Sequence, residues 1–331
     1  MKYQVLSMMA AVLTAVPAMA QLNLAPGIAI QKRIHLNFEP SYFFKINGEG
    51  TKVAFTMFRN YSNTGEQNFL LNIDGPDRNP KTHPIPGSFD PMFNHNFKSM
   101  TIPVQSGQQY VCGFYSETDV LRRGRDATPK YVDHEMRCVY QSIGLLSTND
   151  ERDTFRLIVE NSGGFTMRDY EEDKRSGKIR PISPVRNLCP GFNIKLPMIS
   201  KDGREMGAYS LLRDSTVILS IDDDGGCTVK DDLKVRAGKI AFSYDGKRVA
   251  YHVFNSKDRA LTTTFIEVPT DDYVSDIFVL NRETGKTQRV TKNSRSNSMF
   301  PEFTRDGRVV FIDHPHADAR TKVSLVIMKP L

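Results

Sequence analysis

A short turn motif recurs along this 331-residue chain and limits the folds that it can adopt. Three copies read Ser-Lys-Asp-Gly, Ser-Tyr-Asp-Gly and Thr-Arg-Asp-Gly, with their glycines at positions 203, 246 and 307. A fourth copy, Asn-Gly-Glu-Gly, ends at Gly50. Each copy follows an apolar strand end and precedes an alternating strand, and Asp-Gly and Glu-Gly tolerate the positive φ of a tight turn. The motif therefore predicts a series of β-hairpins.

The spacing of these turns predicts a repeat architecture. Two weaker copies, near positions 97 and 150, fill the gap between Gly50 and Gly203, so that the turns stand at 50, 97, 150, 203, 246 and 307. The longest gap holds a polar stretch, 255–273, which indicates an inserted loop. A second strand-turn-strand pattern follows the turns, as in 276–291. About four antiparallel strands in each repeat of roughly fifty residues are typical of a β-propeller.

We therefore predict an all-β fold, a six-bladed β-propeller with four antiparallel strands per blade. The last repeat stops one strand short, at Leu331, and the segment 31–36 resembles the fourth-strand sequence of another repeat, 288–291. We expect this N-terminal strand to complete the last blade and to close the ring. The predicted blades are 40–87, 88–143, 144–188, 189–234, 235–293 and 294–331 with the closing strand 31–36.

The repeated segments S-K-D-G-R, S-Y-D-G-K and T-R-D-G-R, with the later D-I-F-V-L-N-R-E-T-G-K-T-Q-R-V-T, resemble TolB-type, WD-repeat-like propeller repeats. The resemblance covers about residues 31–331 and is strongest from Pro197 onward. It implies a six-bladed propeller, and it allows either an envelope scaffold or the propeller domain of an enzyme. The chain departs from the family in having no Trp and little sequence before its first repeat. No residue's role is carried over.

The first twenty residues have the features of a secretory signal peptide. Lys2 provides a short positive region, an apolar stretch of twelve residues follows, and Ala18-Met19-Ala20 is an A-x-A cleavage site. Twelve apolar residues are too few to cross a bilayer, and no other window approaches the length of a transmembrane segment. We predict cleavage between Ala20 and Gln21, one propeller domain over 21–331, and a periplasmic or secreted location.

The four cysteines agree with export. Their even number allows two disulfides, and the absence of a C-x-x-C motif argues against a zinc or thioredoxin-like site. We predict the pairs Cys112–Cys138 and Cys189–Cys227, because each joins parts of one blade. Cys112 is expected on the third strand of its blade and Cys138 on a neighbouring fourth strand, 136–141. Four buried free thiols are the alternative.

The sequence shows no constellation typical of catalysis or cofactor binding, and we predict neither catalytic residues nor a cofactor. The most metal-like cluster comprises Asp313, His314 and His316, since two histidines in an H-x-H segment could reach one ion. A polar hairpin loop explains this cluster as well, and we predict no metal. An acidic run, 222–224, is predicted to be a solvated hairpin rather than a calcium loop.

The charge also limits the function. The chain carries 44 Lys and Arg against 38 Asp and Glu, a net charge of +6, and its basic residues are scattered. The largest basic group is Arg122, Arg123 and Arg125, which we expect in a solvated loop, so we predict no nucleic-acid partner. The leading hypothesis is an exported, non-enzymatic, monomeric propeller that binds another envelope or secreted protein. The alternatives are a propeller hydrolase or lyase that acts on peptide or polysaccharide, and a glycan-binding module.

Overall fold

The computed structural model shows a protein built from β-strands. It describes residues 22–36, 40–57, 67–75, 82–87, 90–94, 98–138, 140–161, 164–254, 274–294, 296–315 and 323–331. These residues form 25 strands, one short α-helix and one 3-10 turn. Within these ranges, no helix combines the length and the apolar character that crossing a bilayer would require. The predicted signal peptide and the inserted loop 255–273 lie outside the described residues.

Four antiparallel sheets follow one another along the chain. Their strands lie in sequence order, except that the last strand of the third sheet pairs with the third strand of that sheet. Sheet I comprises β2 (Pro40–Ile46), β3 (Lys52–Met57), β4 (Gln67–Asn72) and β5 (Thr82–Pro84). Sheet II comprises β6 (Met92–Phe93), β7 (Ser99–Ser106), β8 (Gln109–Ser116) and β9 (Tyr131–Arg137). Sheet III comprises β10 (Tyr140–Thr148), β11 (Arg152–Asn161), β12 (Gly164–Asp173), β13 (Ile179–Pro181) and β14 (Arg186–Leu188). Sheet IV comprises β15 (Ile194–Ile199), β16 (Glu205–Ser210), β17 (Ser215–Ile221) and β18 (Cys227–Asp232).

Sheet V has eight strands in two runs of four. Run Va comprises β19 (Ile240–Phe242), β20 (Arg248–Phe254), β21 (Ser275–Asn281) and β22 (Thr287–Arg289). Run Vb comprises β23 (Ser296–Phe303), β24 (Val309–Pro315), β25 (Ser324–Met328) and the N-terminal β1 (Ile30–His35). A single parallel pair, Ser275 with Asn297, joins the runs. β1 pairs antiparallel with β25, so the N-terminal strand is the fourth strand of run Vb.

The recurring motif forms the same turn in each well-matched copy. Ser200 Oγ donates a hydrogen bond to Asp202 Oδ1 at 2.5 Å, and the pairs Ser243–Asp245 and Thr304–Asp306 repeat it at 2.6 and 2.5 Å. The turn glycines have positive φ, between 69° and 83°, which glycine adopts without the steric cost that a Cβ would add. The predicted hairpin turns are therefore confirmed at these positions.

Hydrophobic clusters lie between consecutive sheets rather than within one sheet. Clusters join sheet I to II, II to III, III to IV, IV to run Va, and Va to Vb. One more joins run Vb to sheet I, and it contains Ile34 of β1, Phe44 and Phe55 of sheet I, and Leu325 of β25. Each sheet is therefore stabilised by burying side chains against both of its neighbours.

The first strands of the sheets also lie side by side. β2 contacts β6 and β23, β15 contacts β10 and β19, and β19 contacts β23. Between sheets II and III, Gln141 Nε2 on β10 donates to the main-chain oxygen of Asp90, just before β6, at 2.7 Å. The space between these first strands contains the site described below.

Two local expectations are wrong. The fourth strand of sheet II is Tyr131–Arg137 rather than 136–141, and Gln141 lies in the next sheet because β10 begins at Tyr140. The basic group 122–125 was expected in a loop. Instead, residues Glu117–Arg123 form a helix, α1, in which Asp119 pairs with Arg122 and Arg123 one turn away, as oppositely charged residues do at this spacing.

Candidate functional site

A buried cluster of charged side chains lies between the first strands. Glu302, on β23, is at its centre, with only 5% of its side chain exposed. Glu302 Oε1 accepts a hydrogen bond from Lys45 Nζ on β2 at 3.0 Å and lies 3.7 Å from Lys239 Nζ, just before β19. Lys201 Nζ, in the turn after β15, lies 3.8 Å from Glu302 Oε2. Three lysines from three sheets therefore share one carboxylate.

The repeat explains why Lys45 and Glu302 meet. Each lies two residues before the first residue of its turn motif, Asn47 and Thr304 respectively. Because side chains alternate along a strand, equivalent repeat positions point to the same side. The equivalent residues in sheets II, IV and run Va are uncharged: Met92, Met198 and Ala241.

Burial and the charges of neighbouring groups shift the pKa values of the residues in the cluster. Burial would raise the pKa of Glu302, but the three lysines outweigh it and lower this pKa to about 2. Burial would lower the pKa of Lys45, yet it is raised because Glu302 and Asp90 are nearby. Burial and the Lys45 amine lower the pKa of Lys239 well below its ordinary value, and burial lowers the pKa of Lys201. Lys239 therefore loses its proton more easily than an exposed lysine does.

Two further titratable groups border these lysines. Asp90 lies close enough to Lys239 and Lys45 to interact with their charges, and burial raises the pKa of its carboxyl group. His252, on β20, is 1% exposed, and burial together with Lys239 lowers its pKa to about 3. His252 is therefore neutral at pH 7. The cluster brings together amine, carboxyl and imidazole groups, which are the groups that proton transfer uses in enzymes.

Beside the cluster, three turn residues form what we call the rim: Lys201, Tyr244 and Arg305. Each occupies the second position of its turn motif, in sheet IV, run Va and run Vb. Lys201 Nζ lies 5.0 Å from the centre of the Tyr244 ring, within the range of a cation–π attraction. Arg305 is exposed, and its main-chain N–H donates to Gly48 O at 2.7 Å. The rim is thus basic and aromatic, and Lys201 belongs to both the rim and the cluster.

The residues singled out as metal-like do not converge where the structure describes them. Asp313 and His314 are adjacent on β24, so their side chains point to opposite faces of the sheet. Asp313 Oδ2 accepts a hydrogen bond from Arg33 at 3.2 Å. His316 lies outside the described residues. Within the described part of the chain, no three His, Cys, Asp or Glu side chains are arranged to hold a metal ion.

The four cysteines lie in the two predicted pairs. Cys112 and Cys138 are bonded with their Cα atoms 5.0 Å apart, and Cys189 and Cys227 with theirs 4.8 Å apart. Cys112 is on β8, as expected, whereas Cys138 follows β9 directly. The second pair ties the segment before β15 to the first residue of β18.

The acidic run 222–224 forms the predicted hairpin between the third and fourth strands of sheet IV. It also has a contact that the sequence did not indicate. Asp223 Oδ1 accepts a hydrogen bond at 3.1 Å from Arg156 of sheet III, whose own buried guanidinium pairs with Asp169. This run therefore helps to join two sheets.

Sequence reasoning missed the lysine cluster, although a signal was present. Lys45 and Glu302 are charged at a repeat position where the equivalent residues of the other sheets are uncharged. This difference could have identified them as candidate site residues. In the sequence, Lys201 is simply the second residue of a turn motif. Lys239 and Asp90 lie in connecting segments, where the repeat defines no register, so nothing in the sequence placed them near Glu302.

Comparison with known proteins bears on the fold. The β-propeller domain of Cps50 (Swd1) from Myceliophteria thermophila is similar with a TM-score of 0.50 and 10% sequence identity, over 89% of this chain and 99% of that one. The chain has a β-propeller fold. The narrower similarity to TolB-type repeats rests on the turn motifs.

Two further structures are similar at lower TM-scores. A putative TolB from Agrobacterium tumefaciens has a TM-score of 0.46 and 12% identity, over 87% of this chain and 90% of that one. An oligogalacturonate lyase in complex with manganese has a TM-score of 0.47 and 11% identity, over 95% and 99%. The sequence matches no protein-family model, and no curated protein matches it.

Proposed function

We propose that this protein is an exported, non-enzymatic, six-bladed β-propeller of the TolB type that binds another envelope or secreted protein at its rim. The proposed blades are sheets I to IV and runs Va and Vb, with β1 completing the last one. The pairing of β1 with β25 and the hydrophobic cluster between run Vb and sheet I support this arrangement.

Export is supported by the cysteines and by the N-terminal sequence. Two cystine pairs persist most readily in an oxidising compartment such as the periplasm or the extracellular space. Leu24 forms a β-bridge with Thr291, and Ala25 N–H donates a hydrogen bond to Val290 O at 3.0 Å. The chain that follows the proposed cleavage site is therefore part of the fold from Leu24 onward.

The composition of the rim is the observation that supports a protein as the partner. Tyr and Arg are enriched among the residues that dominate the energy of protein–protein interfaces, and the rim holds one of each beside Lys201. Surfaces of propellers offer such loop positions on a rigid scaffold, which is where binding residues concentrate. The rim has two basic residues, so we expect an acidic surface on the partner.

Affinity capture from envelope extract tests this proposal. Wild-type protein and the double variant Tyr244→Ala with Arg305→Glu would be immobilised in equal amounts. We expect a specific protein to be retained by the wild type and lost from the double variant. Such a loss follows because the change removes the aromatic contact and reverses one charge of the rim.

The matched control is Arg213→Glu. Arg213 lies in the turn between β16 and β17, at the opposite end of β16 from Lys201, and is half exposed. This variant makes the same charge change away from the rim and should retain the partner. Equal retention by the rim variant and the wild type, or loss of the partner with Arg213→Glu alone, would contradict binding at the rim.

A second candidate is a lyase or hydrolase, and the lowered pKa of Lys239 is the observation that favours it. A lysine whose pKa moves toward neutrality can serve as a general base, and Glu302 would hold a neighbouring ammonium in place. Turnover of peptide or polysaccharide by the wild type that is lost in Lys239→Met would establish this candidate. The same Lys239→Met variant should leave capture of a protein by the rim unchanged.

A further inference from the structure

Lys45 and Lys239 bring two amines together inside the protein. Only 9% and 4% of their side chains are exposed, and the two amines approach each other within reach of a hydrogen bond. An ammonium group has three N–H donors and no acceptor, so two ammonium groups cannot form a hydrogen bond with each other. In such a contact, one of the two nitrogens therefore keeps a lone pair.

The surroundings decide which amine is neutral. Lys45 Nζ donates to Glu302 Oε1 at 3.0 Å, whereas Lys239 Nζ lies 3.7 Å from the same oxygen, beyond the length of a hydrogen bond. The closer carboxylate favours the ammonium form of Lys45, while burial and the Lys45 amine lower the pKa of Lys239. Asp90 and His252 are the other titratable groups that interact with Lys239. Lys239 therefore holds a neutral amine, which is the nucleophilic form of lysine.

A small cavity adjoins this amine. It has about 30 Å³ of space for water-sized molecules. One water needs about 10–15 Å³ of such space, so the cavity holds about two. That room suits a molecule of three atoms better than a substrate with several carbon atoms. The residues that line the cavity include Lys239, Asp90, Ser142, Ile158, Leu196 and Met198.

We propose that Lys239 is a carbamylation site, at which the buried amine adds carbon dioxide that enters through this cavity. Nζ forms a bond to the carbon of CO₂, the electron pair of one C=O bond moves to its oxygen, and the nitrogen loses one proton. The product is a carbamate anion, R–NH–COO⁻, and its formation needs neither an oxidant nor a reductant. In its ionised form, the Asp90 carboxylate, which lies close enough to Lys239 to interact with its charge, takes the released proton.

Two donors beside Lys239 stabilise the product. The Lys45 ammonium is within reach of Lys239 and donates a charge-assisted hydrogen bond to the carbamate. Ser142 lines the same cavity, and its Oγ accepts from the N–H of Ile199 at 3.0 Å, so its own O–H remains a donor. The negative charge of Glu302 opposes the carbamate. The product therefore depends on the positive charge of Lys45.

This proposal goes beyond protein binding at the rim, and either can fail alone. The proposed partner contacts Tyr244 and Arg305, whereas CO₂ enters a cavity lined by other residues. Carbamylation is a reaction with dissolved CO₂, so its outcome does not depend on whether a partner protein exists.

Chemical trapping in ¹³C-labelled bicarbonate tests the proposal. Wild-type protein would be equilibrated at pH 7.4 and treated with triethyloxonium, which converts a carbamate into a stable ethyl carbamate, and the label would be mapped by mass spectrometry. A lysine in water, with a pKa of about 10.4, is only about 0.1% neutral at this pH. We therefore expect at least tenfold more label at Lys239 than at Lys286, an exposed lysine just before β22.

A pair of variants tests the role of the neighbouring ammonium. Lys45→Gln should lower the label at Lys239 about tenfold or more, because it removes the positive charge on which the carbamate depends. Lys286→Gln is the matched control and should leave the label at Lys239 unchanged. If Lys45→Gln does not fold, the comparison of Lys239 with Lys286 in the wild type still decides.

Three results would overturn the carbamylation site. Label at Lys239 no greater than at Lys286 would mean that the buried amine is not reactive. Unchanged label in Lys45→Gln would mean that the neighbouring ammonium does not stabilise a carbamate. Label without ¹³C would mean that its carbon does not come from CO₂.

Discussion

Replacing Glu302 by Gln should be one of the most destabilising polar substitutions in this protein. The variant keeps the size of the side chain but leaves three amines near a neutral amide. Two of these amines are buried, since the side chains of Lys45 and Lys239 are only 9% and 4% exposed. Removing one partner of a buried ion pair typically costs about 3–5 kcal/mol. We therefore expect the free energy of unfolding at pH 7 to fall by about this amount.

The pKa of Glu302 gives an independent magnitude. Its ordinary value is 4.5, and the folded protein lowers it to about 2. At about 1.4 kcal/mol per pH unit, ionisation of Glu302 contributes about 3 kcal/mol of stability. Because the folded-state pKa is the lower one, this contribution is present above pH 4.5 and is lost as the pH falls from 4.5 through 2. The difference between wild type and Glu302→Gln should therefore shrink over that interval.

Urea unfolding at pH 7.0, 5.0, 4.0 and 3.0, followed by circular dichroism, measures this difference. The matched control is Glu171→Gln, because Glu171 also has two cationic partners, Arg152 and Arg180, but these are largely exposed at the surface. Exposed ion pairs contribute little to stability, so the control should unfold close to the wild type. A Glu302→Gln variant as stable as Glu171→Gln at pH 7, or a stability difference that does not change with pH, would refute the reasoning about the cluster.

Three further predictions concern the fold and its maturation. Ile34→Ala should lower the free energy of unfolding by about 2–5 kcal/mol, because Ile34 is fully buried in the cluster between run Vb and sheet I. Thermal unfolding measures this loss, and an unchanged midpoint temperature would mean that β1 contributes little to stability. Peptide mapping without reductant should recover only the two cystine pairs described above, and reducing each bond should lower the free energy of unfolding by about 2–4 kcal/mol. Four alkylatable thiols in protein from the envelope would contradict this pairing. Protein purified from the envelope should begin at Gln21, and an intact Met1 in its mass spectrum would exclude cleavage at the proposed site.

The hairpin turns were predictable because their cause is local. Asp and Gly at fixed positions specify the turn by their own conformational preferences, so Gly203, Gly246 and Gly307 marked the repeats correctly. The sequence also predicts that the N-terminal strand completes the last blade, because the last repeat is one strand short. Cys138 was assigned to a strand that ends one residue earlier, because strand ends depend on pairing partners that the sequence does not show.

The charged cluster was not predictable in the same way. It depends on segments far apart in the chain, and the contact between Lys45 and Glu302 spans 257 positions. The predicted ring makes the first and last repeats neighbours, but the sequence does not show which of their side chains meet. The pKa shifts of Lys239 and His252 arise from this burial and from neighbours that only the folded chain assembles.

The most direct test of the proposed function is photo-crosslinking in the intact envelope from two positions. A photoreactive residue would replace Tyr244 of the rim in one strain and Leu212 in another. Leu212 is 77% exposed at the other end of β16 from Lys201, which makes it an accessible and apolar alternative contact. We predict one discrete protein adduct from position 244 and none from position 212. An adduct from position 212 alone, or no adduct from either position, would contradict binding of a protein partner at the rim.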